Sequence, residues 1–239
     1  MSWVGRYIKF ILARRWVINN LDATVCVSNG SAEEFQRVSK ILPEVVRNGI
    51  DEVFYAERKS TKRPYVLFVG RPCESKGFDV FVKAMRLVGK RFPDIKGVLV
   101  SSEVEDSIIE GIQTIRYANR EQLSRLYSEA LIYVHAAVGE SFGLPPLEAM
   151  ASGTATIVSE TVGTKDYAVN YDNCLYGRYG DYETMAQNIV LLIQDEALRL
   201  RLEKNGRTTA AAYQWGNSLN QFERALMAKQ FVRIPLEAH

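Results

Sequence analysis

Two glutamates, Glu140 and Glu148, stand eight positions apart in the stretch Gly139-Glu-Ser-Phe-Gly-Leu-Pro-Pro-Leu-Glu148. Carboxylates so placed can act as acid and base, hold a cation, or accept hydrogen bonds from a polyol. Pro145 and Pro146 suit the first turn of a helix, where the N–H that proline lacks would be unpaired anyway. The spacing predicts a helix over 147–151, preceded by a loop from Ser141 to Leu144 whose N–H groups face outward. Gly143 would let a ligand approach the backbone closely. Glu148 is expected within the first helical turn and Glu140 at the entry to the loop. An acidic side chain balancing a helix dipole accounts for Glu148. It does not account for Glu140, which follows an apolar run.

A second cluster is Gly70-Arg-Pro-Cys-Glu-Ser-Lys76-Gly77. Gly70 ends a continuous apolar stretch, so Arg71 opens the next loop. Lys76 lies five residues on, beside a helix start. Two cations and free helix N–H groups could converge there on a phosphate. A diphosphate needs about two positive charges to offset it, and these two side chains supply them without a metal.

Other chemistries fail on inventory. The only histidines are His135 and His239, so a His-rich metal site is excluded. His135 reads as a polar strand end rather than a general base. The sequence has no Asp-x-Asp, no Gly-x-Ser-x-Gly and no Walker-type phosphate loop. Cys26, Cys73 and Cys174 are far apart, which suggests a reducing compartment rather than a disulfide framework. A net charge of +2 with no basic block argues against nucleic acid.

The elements that must hold these residues alternate in type. Apolar strands are expected over 23–28, 45–46, 64–70, 97–101, 113–117, 131–135, 156–158 and 175–176. Helices are expected over 32–38, 78–90, 121–130, 147–151, 162–168, 182–193, 196–213 and 219–229. Such alternation predicts an α/β fold, a parallel sheet with helices on both faces. Ligands bind such sheets at the carboxyl ends of the strands. That rule selects the loops after Gly70, Ser101, Tyr117 and His135.

Taken together, in order and spacing, these motifs resemble those of the retaining GT-B glycosyltransferases of family 4 (GT4-like). The resemblance spans about residues 22 to 225. It rests on the strand ending at Ser28, Arg47-Asn-Gly-Ile-Asp51 with Phe54, Gly70-Arg71 with Lys76-Gly77, and Glu140 to Gly153 with its E-x7-E pattern. Asn205-Gly-Arg207 and Trp215 also fit. The resemblance implies a Rossmann-like GT-B fold and metal-independent transfer of a hexosyl-type sugar with retained configuration. The donor would be a UDP- or GDP-linked sugar, with no cofactor, and the acceptor a glycan, lipid or protein. It implies Arg71, Lys76 and Glu140 as catalytic residues, the cations on the diphosphate and the carboxylate on sugar hydroxyls. Gly70, Ser141, Phe142, Gly143 and Leu144 would contact sugar or phosphate, Glu148 the ribose hydroxyls, and Tyr117 the base. Departures fall at Ser101-Ser-Glu103, where the family has a Gly-x-Gly turn, at Ser141 where it has Gly, and at Val162-Gly163 where it often has Gly-Gly.

On this reading residues 1–48 are a remnant of an N-terminal GT-B domain, 49–213 the donor-binding domain, and 214–239 a C-terminal helix and tail. Either the chain is a fragment or a naturally short form, or a partner chain or self-association supplies the acceptor half. The alternative is a non-catalytic nucleotide-sugar-binding module or regulatory subunit. Residues 3–12 are expected to form an amphipathic helix, with Trp3, Val4, Tyr7, Ile8 and Ile11 on one face. Such a helix packs on protein or lies peripherally on an anionic membrane. The expected location is cytoplasmic, at or away from the membrane face.

Overall fold

The computed structural model of the chain describes residues 24–39, 41–56, 61–105 and 107–230. The amphipathic helix expected over 3–12 and the tail beyond 230 lie outside the described residues. The first described unit is small. Strand β1 (Val25–Cys26) pairs in parallel with β2 (Glu44–Val45), and helix α1 (Asn29–Ser39) connects them.

The larger unit is built on β3 (Arg63–Val69). Its Tyr65-Val-Leu-Phe68 run is buried on both sides, as a central parallel strand requires. Outward on one side lie β4 (Lys96–Val100), β6 (Ile112–Ile115) and the edge strand β5 (Ser107–Ile109). On the other lie β7 (Ala130–His135), β8 (Ala155–Ser159) and β9 (Leu175–Gly177). Strands β6-β4-β3-β7-β8-β9 are all parallel, and only β5 runs antiparallel, against β6. The winding reverses between β3 and β7, and such a reversal leaves a crevice at the carboxyl ends of the two strands.

Period-two alternation sends β3 side chains to two cores. Val66 and Phe68 pack with Phe81 and Val88 of α2 (Phe78–Arg91) and with Met185 and Ile189 of α5 (Tyr182–Gln194). Tyr65 and Leu67 pack with Tyr127 of α3 (Arg120–Glu129) and with Leu147 and Met150 of α4 (Leu144–Ala151). The expected α/β class, with helices on both faces, is therefore what the chain adopts. Helices α6 (Glu196–Ala210) and α7 (Trp215–Gln230) complete the described chain. Among the described residues no helix is long and apolar enough to cross a membrane.

Four local expectations are corrected. Strand β5 was not foreseen. It is joined to β6 by Glu110-Gly111, both with positive φ (51° and 83°), a primed hairpin turn that lacks the usual Asn-Gly signal. The helix expected over 162–168 shrinks to a single 3-10 turn, Thr164–Asp166. The Thr161 N–H donates to Thr164 Oγ1 (2.8 Å), and that hydroxyl donates to Ser159 O (3.0 Å), so the side chain competes with helical backbone pairing. Helix α4 starts at Leu144, three residues earlier than predicted, so Glu148 is its fifth residue rather than a first-turn residue. Helix α6 ends at Ala210 and α7 begins at Trp215, four residues before the expected start. The N–H groups of Ala212 and Tyr213 turn back to Thr209 and Ala210 carbonyls and close the earlier helix.

Candidate nucleotide-sugar site at the switch point

The crevice between β3 and β7 is shaped by two loops locked together through backbone. The first follows β3 and carries Lys76 in a 3-10 turn, Glu74–Lys76. The turn ends at Gly77 with φ 73°, a conformation that favours glycine. A Cβ there would fall 2.1 Å from Ala136 O, so only glycine lets the loop lie on the end of β7. The Val138 N–H donates to Ser75 O at 3.1 Å and completes the seam. Lys76 is thereby carried from one side of the switch point to Glu140 on the other. Its Nζ lies 2.5 Å from Glu140 Oε1.

The second loop runs from Val138 into α4. Gly143 (φ 86°, ψ 73°) precedes the helix, Pro145 and Pro146 occupy its first turn, and no side chain caps it. The loop rests on the 3-10 segment after β8. The Gly163 N–H donates to Glu140 O at 2.9 Å, and Tyr167 Oη donates to Gly143 O at 2.7 Å. Ser28, from the small N-terminal unit, donates its hydroxyl proton to Ser141 O at 2.6 Å. That unit is also tied to Asp166, which accepts from the Asn29 N–H (3.1 Å) and from Arg47 Nε (3.1 Å).

A cavity of about 350 Å³ opens between the loops. Its walls include Gly70, Lys76, Glu140, Ser141, Phe142, Gly143 and Leu144, so seven of the ten residues singled out from sequence meet at one place. Burial alone would raise the Glu140 carboxyl, but His135 and Lys76 beside it prevail and hold it down at about 2. The floor is therefore a carboxylate paired with a cation, next to the positive end of a helix.

Three expected residues are placed elsewhere. Arg71 does not line the cavity. It points to the rim, 3.9 Å from Glu103, with both side chains more than half exposed. The expected convergence of two cations is thus met by Lys76 alone in the cleft, because the chain turns outward after Gly70. Tyr117 is 75% exposed and off the cavity wall. Glu148 sits behind the loop, one helical turn further in than predicted. It accepts from Tyr127 Oη at 3.1 Å, and burial lifts its carboxyl to about 7 despite that bond and the nearby Arg120.

Sequence reasoning missed other walls of the cleft. Asn48 lines it, as does Tyr133, whose hydroxyl is buried without a hydrogen-bond partner among the described residues. His135 was read as a polar strand end. It is 5% exposed and lines the same cavity, with Nε2 3.7 Å from Glu140 Oε1. Its position as the last residue of a strand at the switch point was the available signal.

A doubly wound sheet with such a cleft at its switch point defines a Rossmann-like, nucleotide-binding class of domain. The profile of the family described as glycosyl transferases group 1 matches residues 49–209, and the chain belongs to that family. It is 31% identical over 221 residues to a phosphatidyl-myo-inositol mannosyltransferase of Propionibacterium freudenreichii subsp. shermanii, over 88% of this chain and 56% of that one. Among solved structures it is similar to a sucrose-phosphate synthase from Thermosynechococcus elongatus, with TM-score 0.77 and 24% identity, over 91% of this chain and 61% of that one. It is also similar to Anabaena HepE, solved in complex with UDP, with TM-score 0.75 and 16% identity, over 87% of this chain and 64% of that one. The chain spans about half the length of the curated relatives it matches.

Proposed function

We propose that the chain is the donor-binding part of a retaining, metal-independent glycosyltransferase that uses a UDP- or GDP-linked sugar. The observation that carries the reading is the pairing of Lys76 with Glu140 at 2.5 Å inside the switch-point cleft, beside the uncapped start of α4. A cation beside free N–H groups suits a diphosphate. A carboxylate kept ionised down to about pH 2 suits sugar hydroxyls, because it accepts and never donates.

In this reading Lys76 meets the diphosphate inside the cleft and Arg71 approaches it from the rim. The N–H groups of Phe142, Gly143 and Leu144 add donors along it, and Gly70 and Ser141 complete the wall. Glu140 orients the sugar, Glu148 the ribose, and Tyr117 stacks near the base. The bond from the anomeric carbon to the phosphate oxygen breaks, and its electron pair stays on the phosphate. The acceptor oxygen bonds to the same face of that carbon, and its proton passes to the departing phosphate. Lys76 and the helix N-terminus stabilise the charge that develops on the leaving group. The acceptor is recognised by protein beyond the described residues, in this polypeptide, in a second copy or in a partner chain. A cytoplasmic setting accords with three free cysteines, and peripheral membrane contact through residues 3–12 belongs to the same proposal.

The test is transfer from radiolabelled UDP- and GDP-sugars, with the chain alone and with candidate partner chains, alongside Glu140→Gln. Turnover that Glu140→Gln abolishes supports the enzyme. The second reading is a non-catalytic nucleotide-sugar-binding module. It is favoured by tight nucleotide binding with no turnover in any combination. No binding of any nucleotide or nucleotide sugar removes both.

A further inference from the structure

His135 ends β7 inside the cleft, yet its chemistry is unassigned. Its ring is held from behind. Nδ1 lies 3.4 Å from Ser159 Oγ, a hydroxyl 2.8 Å from Ala137 O and 3.1 Å from His135 O. Nε2 faces the cavity and is buried with no hydrogen-bond partner among the described residues. A buried polar atom without a protein partner is costly, and here it is turned toward the cavity that would take the donor. Glu140 Oε1 lies 3.7 Å away, near enough for His135 to help hold the carboxyl down and to close to hydrogen-bond distance with a small side-chain rotation.

The same Oε1 is held by Lys76 at 2.5 Å. Under the proposed function Lys76 serves the donor diphosphate. Donor binding then draws the ammonium away from Glu140, which would leave a largely buried carboxylate short of compensation. Among the described residues, His135 Nε2 faces that oxygen at 3.7 Å. The groups around it are few: Lys76 from the loop after β3, His135 from β7, and the unpartnered Tyr133 hydroxyl from the same strand.

We propose that His135 is a positioning residue for the donor sugar. When the donor engages Lys76, an Nε2–H, carried by the imidazolium or by the neutral tautomer whose Nδ1 accepts from Ser159 Oγ, donates a hydrogen bond to Glu140 Oε1 and fixes the carboxylate against the sugar hydroxyls. In this proposal His135 acts on Glu140 and not on the diphosphate or the nucleoside. Its effect is therefore confined to the sugar part of the ligand and passes through Glu140. The inference rests on the assignment of Glu140 to the sugar.

The experiment compares calorimetric affinities for UDP, UDP-glucose and UDP-N-acetylglucosamine, and for GDP and GDP-mannose. The proteins are wild type, His135→Phe, His135→Gln and Glu140→Gln. Phe keeps the ring volume without the nitrogen. Gln places an N–H near the position of Nε2. The expected result is that His135→Phe weakens the preferred nucleotide sugar about tenfold and leaves the bare nucleotide within about twofold. His135→Gln recovers most of the loss. A purely structural role would lower both affinities together and would show no recovery with Gln. That outcome overturns the proposal, as does unchanged sugar affinity in His135→Phe. If Glu140→Gln binds sugar nucleotide and bare nucleotide as wild type does, the Glu140 assignment has failed. If Glu140→Gln loses sugar affinity and His135→Phe does not, only the His135 role has failed. Should no nucleotide or nucleotide sugar bind to wild type, both fall.

Discussion

The Tyr127 hydroxyl donates to Glu148 Oε2 at 3.1 Å from inside the helix layer, where the tyrosine is wholly buried. Tyr127 stands edge-on to both Phe54 and Tyr133, so the donor is rigid. Burial raises the Glu148 carboxyl to about 7, and the Tyr127 bond only moderates the rise. The two glutamates of one motif thus differ by several units, Glu140 at about 2 and Glu148 at about 7. Environments that push two carboxyls apart give them different tasks.

Binding of a nucleotide sugar should therefore depend on pH through Glu148. The ribose role needs the ionised carboxylate, which is about one-tenth populated at pH 6 and nine-tenths at pH 8 for a group titrating near 7. Affinity for the preferred nucleotide sugar is expected to rise roughly tenfold over that range. Glu140 is ionised throughout and adds no slope. Calorimetry at pH 6, 7 and 8 reads this directly. A flat profile in wild type would remove Glu148 from the nucleoside site, and Glu148→Gln should be flat in any case.

Stability should move in the opposite sense. Glu148 carries a proton in the folded state up to about pH 7, whereas an unfolded glutamate loses it near 4.5. Between those values the folded chain binds more protons than the unfolded one, so stability falls as pH rises. Glu148→Gln has no such titration. Between pH 4 and pH 8 wild type should lose about 3 kcal/mol relative to that variant. Urea unfolding at the two pH values measures the difference, and equal shifts in both proteins would contradict the burial account.

A steric prediction concerns Gly163. Its φ of −84° is open to any residue, so strain is not the issue. A Cβ would fall 2.3 Å from Phe142 N, against backbone that cannot yield cheaply. Gly163→Ala should push the Glu140 loop off the 3-10 turn, lower stability by about 1–3 kcal/mol and weaken nucleotide-sugar binding as well. Thermal unfolding and calorimetry on one preparation test both effects. Wild-type values in each would show that the loop accommodates a methyl group.

Much of the site was legible because its signals are local. Gly70 after a buried apolar run and Pro-Pro at a helix start fix loops at strand ends, and strand alternation tells which ends matter. What failed was direction. Arg71 and Lys76 share one loop, but only the Gly77–Ala136 backbone contact decides that Lys76 turns inward. Gly77 permits that contact, but nothing in the sequence names Ala136 as its partner. The start of α4 at Leu144 moved Glu148 inward by a helical turn and left it beside Tyr127, a partner 21 residues away. His135 is the polar strand end that the sequence suggests, and what the sequence does not show is that Glu140 comes within 3.7 Å of its ring.

The direction of these two cations gives the last prediction. Lys76 lines the cleft and its ammonium is paired with a largely buried carboxylate, so Lys76→Ala removes a phosphate ligand and also leaves Glu140 with His135 alone to compensate it. Affinity for UDP or GDP should fall between about tenfold and a hundredfold, the range of a charged hydrogen bond. Arg71 sits on the rim with a 3.9 Å contact to Glu103 and a side chain 60% exposed. Screening at such a site limits Arg71→Ala to about fivefold or less. Adding Glu140→Gln to Lys76→Ala removes the under-compensated negative charge and should recover part of the Lys76 loss, while Glu140→Gln alone should hardly change binding of the bare nucleotide. Calorimetry with UDP and GDP across the four variants separates the terms. Equal losses at Lys76 and Arg71 would mean that the rim arginine swings into the cleft with the ligand. No loss at Lys76 would remove the diphosphate from the pocket beside α4.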